Sequence, residues 1–352
     1  MINWIYGFVL LLLFVLENIY FKIAKRYNIL DVPNARSSHH TITLRGGGVI
    51  FYLGVLVHGL IFDFFAPWFL CGVTLVALVS FIDDMHPLSA KVRLLFQTFS
   101  LLLLLLQLGG HEVSWGYVVV ALFVGLAILN IYNFMDGING ITGGYSLVAM
   151  LALWGINAFV FPIAPAGFIP VVILSLLVFN FYNFRSHAKC FSGDVGAISM
   201  AFIILFLLGG FIIHTGHVSA LVFLAVYGVD GVLTIIHRIL LKENIGQPHR
   251  KHLYQLLANE GKFAHLPVSL IYMGVQAVVN LGYLLVLVYT PGYTLIYFII
   301  SIVVLVVVYS NHFVLTNLVQ IAYQMTVDLF LLYKYQLTKN DSNPVLIPHP
   351  LK

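Results

Sequence analysis

INWIYGFVLLLLFVLENIYF, residues Ile2–Phe21, holds twenty residues with one carboxylate, Glu17, and is followed at once by Lys22, Lys25 and Arg26. About 20 apolar residues wound as a helix match the ~30 Å hydrocarbon core of a bilayer. No basic residue precedes this run and three follow it closely, the reverse of a cleaved secretory signal. It reads as a retained transmembrane helix whose N-terminus lies outside. Glu17, about one turn before Lys22, reads as a carboxylate reaching for the nearby surface.

The same pattern repeats along the chain. Of 352 residues, 61% are hydrophobic and 9% charged, too little polar surface for a water-soluble globule of this size. Apolar runs bounded by polar or Gly/Pro punctuation fall at Gly46–Phe65, Pro67–Ile82, Leu94–Leu108, Gly116–Tyr132, Ile141–Phe161, Phe168–Tyr182, Ala197–Ile213, Ser219–Leu241, Leu266–Thr290 and Tyr293–Phe313. With the first run these make about eleven crossings, and an all-α polytopic membrane protein is expected.

All 17 Lys and Arg residues then fall on one side: after the first, third and seventh runs, around the end of the ninth, and in the tail. The positive-inside bias makes that side cytoplasmic, with the C-terminus there. One integral domain is expected over residues 1–316. A cytoplasmic tail follows over 317–352, where Asn317, Gln320, Gln324 and Asp328 recur at helical spacing and suggest an interfacial helix. The net charge of +4 follows from this topology and favours membrane lipid and anionic substrates over nucleic acid. No disulfide is expected between Cys71, inside a span, and Cys190, in a loop of the reducing side.

Nearly all chemistry-bearing residues lie in the loops of that one side. The first contains Asp31, Arg36 and Arg45 and ends in Gly46-Gly47-Gly48, where helix-opening amides can meet a phosphate or the glycines can simply let helices pack. The second carries Asp83-Asp84 and later Arg93; paired carboxylates near lipid need a cation, although they can also cap the next helix with Arg93 as a surface counter-ion. Between the fifth and sixth runs stands Asn130-Ile-Tyr-Asn-Phe-Met-Asp-Gly-Ile-Asn-Gly140, either a ligand-binding turn or an ordinary Asn/Asp/Gly turn. Its Asn130 and Asn133 stand on an otherwise apolar helix, where unpaired amides are expensive. Phe191-Ser-Gly-Asp-Val-Gly196 places Asp194 at a helix start, as an N-cap or as a third carboxylate of an oxygen set suited to Mg²⁺. The largest loop has His249-Arg-Lys-His252, in which histidines three apart share a face if helical; without Cys partners they fit an anion clamp better than zinc. Asp230 lies inside the ninth run and needs a partner, Arg238 or a group on another helix.

In order, the motifs Asp31-x-Pro-Asn-x-Arg through Arg45-Gly-Gly-Gly48, Asp83-Asp-x-x-x-Leu-Ser-x-x-x-Arg93, Asn133-Phe-Met-Asp-Gly-x-Asn-Gly140, Phe191-x-Gly-Asp-x-Gly196, and Asp230 through Arg238 to His249-x-x-His-Leu-Tyr-Gln255 resemble one family. It is the polyprenyl-phosphate N-acetylhexosamine-1-phosphate transferases, the MraY/WecA group of glycosyltransferase family 4. The variants look most like its O-antigen-initiating branch. The chain departs from the family's usual pattern at Leu44, Asn139 and Ala197, and no carboxylate role is carried onto Asn139.

The resemblance implies a Mg²⁺-dependent enzyme, with Mn²⁺ an alternative. It would transfer a sugar 1-phosphate from a UDP-N-acetylated sugar to polyprenyl (undecaprenyl) phosphate and release UMP at the cytoplasmic face of a bacterial inner membrane. It assigns metal binding to Asp194 with Asp84, acceptor orientation or deprotonation to Asp83, and the nucleotide or metal pocket to Asp136 and Asn133. It gives the diphosphate to His249, Arg250 and His252, with Arg45 and Lys189 assisting. A transporter of lipid-linked or nucleotide sugars is the alternative, but such proteins gather their polar groups near the midplane and often show repeats.

Overall fold

The computed structural model describes residues 2–33, 41–110, 113–244 and 249–311. Every apolar run becomes helical, because lipid offers no partners for backbone N–H and C=O and an α-helix satisfies them within the segment. The helices are α1 (Ile2–Arg26), α2 (Val49–Ile61), α3 (Pro67–Met85), α4 (Ala90–Gln107), α5 (Trp115–Met135), α6 (Ile141–Phe159), α7 (Phe168–Asn183), α8 (Gly193–Thr215) and α9 (Ala225–Leu240). A 3₁₀ segment, Val218–Leu224, leads into α9, and a long helix follows over His265–Tyr289. Among the described residues, nine helical segments, including Pro291–Asn311, are long and apolar enough to cross a membrane; α2 and α7 are apolar but shorter. The protein is thus a polytopic α-helical membrane protein.

Residues Met1–Leu305 form one compact unit and Val306–Lys352 a second, of which 306–311 are described. The expected boundary at 316 and the tail's interfacial helix lie outside the described residues, as does Arg36.

In α1 the residues Phe8, Leu11, Val15 and Ile19 are exposed, whereas Val9, Leu13, Glu17, Tyr20 and Ala24 are buried. Both stripes follow helical spacing and both are mainly apolar, as expected where one faces protein and the other lipid tails. Glu17 belongs to the inner stripe. The reading of it as a surface carboxylate is corrected: it is fully buried, with the Cys190 thiol 3.8 Å from its Oε1.

α8 is the axis of the unit, buried along most of its length and packed against α2, α3 and α5. It is apolar on all sides, as a helix with no polar surroundings must be. Several helices run further into the loops than the apolar runs suggest. α3 extends to Met85 and carries Asp83 and Asp84 in its last turn, α5 reaches Met135 and takes up Asn130 and Asn133, and α8 begins at Gly193. α4 starts at Ala90, where the Ser89 side chain accepts from the Val92 amide.

The ends of α1, α3, α5 and α7 and the starts of α2, α6 and α8 meet at one end of the bundle. A two-residue antiparallel ladder, Leu30–Asp31 with Thr43–Leu44, and a bridge from Leu44 to Cys190 tie their loops together. This small sheet is the one departure from the all-α expectation among the described residues.

Candidate active site

The first amides of α8 have no acceptor within their own helix. Asp84 supplies one from α3: Oδ1 accepts from the Asp194 amide at 2.9 Å and Oδ2 from the Val195 amide at 3.0 Å. The same Oδ1 accepts from Arg45 Nε at 2.6 Å, and the Asp84 side chain is wholly buried. A helix N-terminus and a guanidinium together offset its charge. This close approach requires glycine at 193, where φ is +71° and a Cβ would lie 2.5 Å from Asp84 Oδ2. Asp84 therefore joins α3 to α8. Both of its oxygens accept from the α8 start, and Oδ1 accepts from Arg45 as well.

Asp194 is held differently. It is not the N-cap of α8; Ser192 occupies that position, and the Asp194 carboxylate meets two arginines. Arg45 Nη2 lies 3.3 Å from its Oδ1 and Arg93 Nη1 3.5 Å from its Oδ2, both long for charge-assisted bonds. Arg93 Nη1 also reaches Asp83 Oδ2 at 3.1 Å, and Asp83 Oδ1 accepts from the Leu88 amide. Two guanidiniums thus bridge three carboxylates drawn from α3 and α8.

Asp194 and Arg45 line a cavity of about 220 Å³ with Asp31, Asn133, Asp136, Asn139 and Gln255. Asp136 accepts from the Thr142 hydroxyl at 2.7 Å, and burial pushes its carboxyl up to about 7. Asn183 fastens this wall: its Oδ1 accepts from the Gly140 amide and its Nδ2 donates to the Cys190 carbonyl, each at 2.8 Å. Asn139 spends its amide on the carbonyls of Arg185 and Ser186 at 2.9 and 3.1 Å. An aspartate there has no protons to give when ionised, so Asn139 suits this loop contact. A larger cavity of about 720 Å³ shares Asn139, Phe191 and His265 with the first and adds His187, Arg250 and Lys262.

The remaining expected residues divide between two places. His249 and His252 form a second cluster, their rings 4.9 Å apart, although they precede rather than share a helix: His252 is the N-cap of the short turn Leu253–Gln255. Burial, with His252 and Arg238 beside it, pushes His249 down to about 4, so at neutral pH it can offer an N–H but no charge. The cluster meets the cavity wall through Tyr254, whose hydroxyl donates to the Phe134 carbonyl at 2.8 Å, and through Gln255. Lys189 is exposed and lies over the Tyr182 ring at 5.7 Å.

Arg93 was legible only as the end of a motif and as a surface counter-ion; it is central. Gln97 was not singled out at all. Gln97 accepts from Asn130 at 3.0 Å, which answers how that amide is satisfied inside an apolar helix pair. The glycines before α2 prove to serve packing. Gly47 and Gly48 donate their amides to the carbonyls of Phe191 and Ser192 at 2.8 and 3.0 Å, leaving neither for a phosphate.

The donors around Asp194 are oxygens, the chemistry a hard divalent cation prefers. Among the described residues no three acidic, His or Cys side chains are arranged to hold a metal.

The raised Asp136 carboxyl has a measurable consequence. Since the folded state favours its protonated form, its contribution to stability is lost as pH rises from the ordinary carboxylate range through about 7. Asp136→Asn cannot titrate and keeps the Thr142 bond. Its melting temperature relative to the parent is expected to rise by a few degrees between pH 4 and pH 8; a constant difference would show that the carboxyl is not desolvated.

Comparison with known proteins adds three findings. The family model described as Glycosyl transferase family 4 matches residues 66–211, the stretch holding Asp83, Arg93, Asp136 and Asp194. A Bacillus subtilis (strain 168) protein named a probable undecaprenyl-phosphate N-acetylglucosaminyl 1-phosphate transferase is 29% identical over 302 residues, covering 78% of this chain and 82% of its own length. The Escherichia coli (strain K12) undecaprenyl-phosphate alpha-N-acetylglucosaminyl 1-phosphate transferase is 26% identical over 287 residues, 75% of this chain and 78% of its own length.

Proposed function

We propose that this chain acts as a member of glycosyl transferase family 4 and transfers a sugar 1-phosphate from a UDP-N-acetylated sugar to undecaprenyl phosphate. UMP leaves, and the lipid-linked diphosphate sugar that remains starts a cell-surface polysaccharide. The observation carrying this reading is the convergence of Asp83, Asp84 and Asp194 on Arg45 and Arg93 beside a cavity lined by Asn133 and Asp136. Phosphoryl transfer asks mainly for positioning and for neutralisation of concentrated negative charge, and this site offers both.

Bond exchange occurs at the sugar-proximal phosphorus: an acceptor phosphate oxygen forms the new P–O bond as the bond to the UMP oxygen breaks. Arg45 and Arg93 hold phosphoryl oxygens. Asp194, the acid with the longest hydrogen bonds of the three, would hold Mg²⁺, or Mn²⁺ in its place, with Asp136, which lines the same cavity, and the ion would neutralise charge on the donor diphosphate. Asp84 acts by keeping Arg45 and the α8 start in register, and Asp83 by fixing Arg93. A base is barely needed, since a phosphate monoester loses its second proton with a pKa of about 6. The adjoining larger cavity, with Arg250, Lys262 and His187, has the charge and room for the rest of the donor. The one-sided distribution of basic residues supports a cytoplasmic site in a bacterial inner membrane.

The test is UMP release by purified protein given undecaprenyl phosphate, Mg²⁺ and a panel of UDP-N-acetylated sugars, with and without EDTA. UMP with at least one donor, lost on chelation, is expected. Absence of UMP with every donor, together with uptake of a nucleotide or lipid-linked sugar into proteoliposomes, would replace this reading by transport.

A further inference from the structure

We infer that Asp230 is the positioning residue for His252, fixing the orientation of the ring and offsetting the charge of its imidazolium form so that Nε2–H is presented to a phosphoryl oxygen. The inference rests on the proposed role of His252 at the diphosphate. Asp230 lies on α9 inside an apolar span, 1% exposed, a costly place for a carboxylate without donors. Its donors come from three elements. Oδ1 accepts from His252 Nδ1 at 3.0 Å, from the Leu253 amide at 3.2 Å and from the Thr234 hydroxyl at 3.2 Å; Oδ2 accepts from the Tyr272 hydroxyl at 2.6 Å.

A carboxylate is acceptor only, so the proton of the contact sits on Nδ1 of His252. The opposite nitrogen, Nε2, is buried and has no hydrogen-bond partner among the described residues. An orphaned buried ring nitrogen is costly in the resting fold and is satisfied when a ligand arrives. With a proton there, the ring is an imidazolium whose charge Asp230 offsets, and its N–H can meet a phosphoryl oxygen. The same turn is tied to the cavity: Gln255 accepts from the His252 amide at 3.4 Å and lines the cavity with Asp136 and Asp194. Carboxylates that orient a functional imidazole typically matter by ten- to a hundredfold or more.

Asp230→Asn keeps the shape and an oxygen for Nδ1–H and the Leu253 amide but removes the charge. In the UMP assay its kcat is expected to fall about 10²-fold, with KM for the UDP-sugar within about threefold and a melting temperature within a few degrees of the parent. Tyr272→Phe, which leaves the carboxylate on His252, is expected to stay within about threefold. In a His252→Gln background with measurable residual turnover, Asp230→Asn should cost less than about threefold more. Parental kcat in Asp230→Asn, or an undiminished loss in the His252→Gln background, overturns the inference and leaves the transferase reading standing. A parallel fall of stability and activity in Asp230→Asn and Tyr272→Phe also overturns it, since a purely structural contact behaves so. Parental kcat in His252→Gln instead overturns the diphosphate role of His252.

Discussion

Asp194→Asn abolishes UMP release, by about 10³-fold or more, in protein that still folds. Both halves of that expectation come from hydrogen-bond geometry. Besides a side-chain contact with Asp83, Asp194 has long contacts, 3.3 Å from Arg45 and 3.5 Å from Arg93, and each arginine keeps a shorter partner when they are lost: Asp84 at 2.6 Å and Asp83 at 3.1 Å. The backbone amide of residue 194, which bonds Asp84, is unchanged by the substitution. An Asn side chain therefore leaves the α3–α8 joint intact while removing the carboxylate from the cavity wall. UMP release, a thermal melt and the elution profile check both halves together. Parental turnover in folded protein would exclude Asp194 from the metal and phosphate site.

Gly196→Ala should do the reverse and unmake the scaffold. A Cβ at 196 would stand 2.5 Å from the Gly48 Cα and 2.3 Å from the Ser192 hydroxyl; one at 48 would stand 2.3 Å from the Gly196 Cα. Much of the obstruction is backbone, which cannot rotate aside as a side chain does. α2 and α8 must separate, which breaks the bonds from Gly47 to Phe191 and from Gly48 to Ser192 and draws Arg45 off Asp84. Overpacking of this kind costs about 3 kcal/mol or more, with low folded yield and little turnover. The same change at Gly228, where a Cβ meets nothing within 4 Å, should stabilise α9 by up to about 1 kcal/mol. Equal melting temperatures for the two variants would show that the α2–α8 approach is not close.

The helices were legible because their cause is local. A run such as Ile2–Phe21 has one way to satisfy its backbone in lipid, whatever its neighbours do. Residue types at the site were legible too, since carboxylates, amides and arginines bounding apolar helices demand partners. Helix ends were less so: Asp83 and Asp84 lie beyond the apolar run that ends at Ile82, yet they continue α3, whose tertiary contacts satisfy them. Glu17 was misplaced for a related reason, since a carboxylate one turn from a lysine reads alike whether α1 turns it outward or inward.

The amino-acid sequence by itself determined the helical membrane architecture and the set of acids and cations available for phosphate chemistry. Each depends on composition and spacing within a single segment. Only the tertiary structure decided that Asp84 is spent on the start of α8 while Asp194 faces the cavity, that Arg93 is central, and that Asp230 holds His252. Those distinctions arise between identical residue types. They turn on partners 22 to 149 residues away in the chain, and a carboxylate's role depends on which donors reach it once the helices pack.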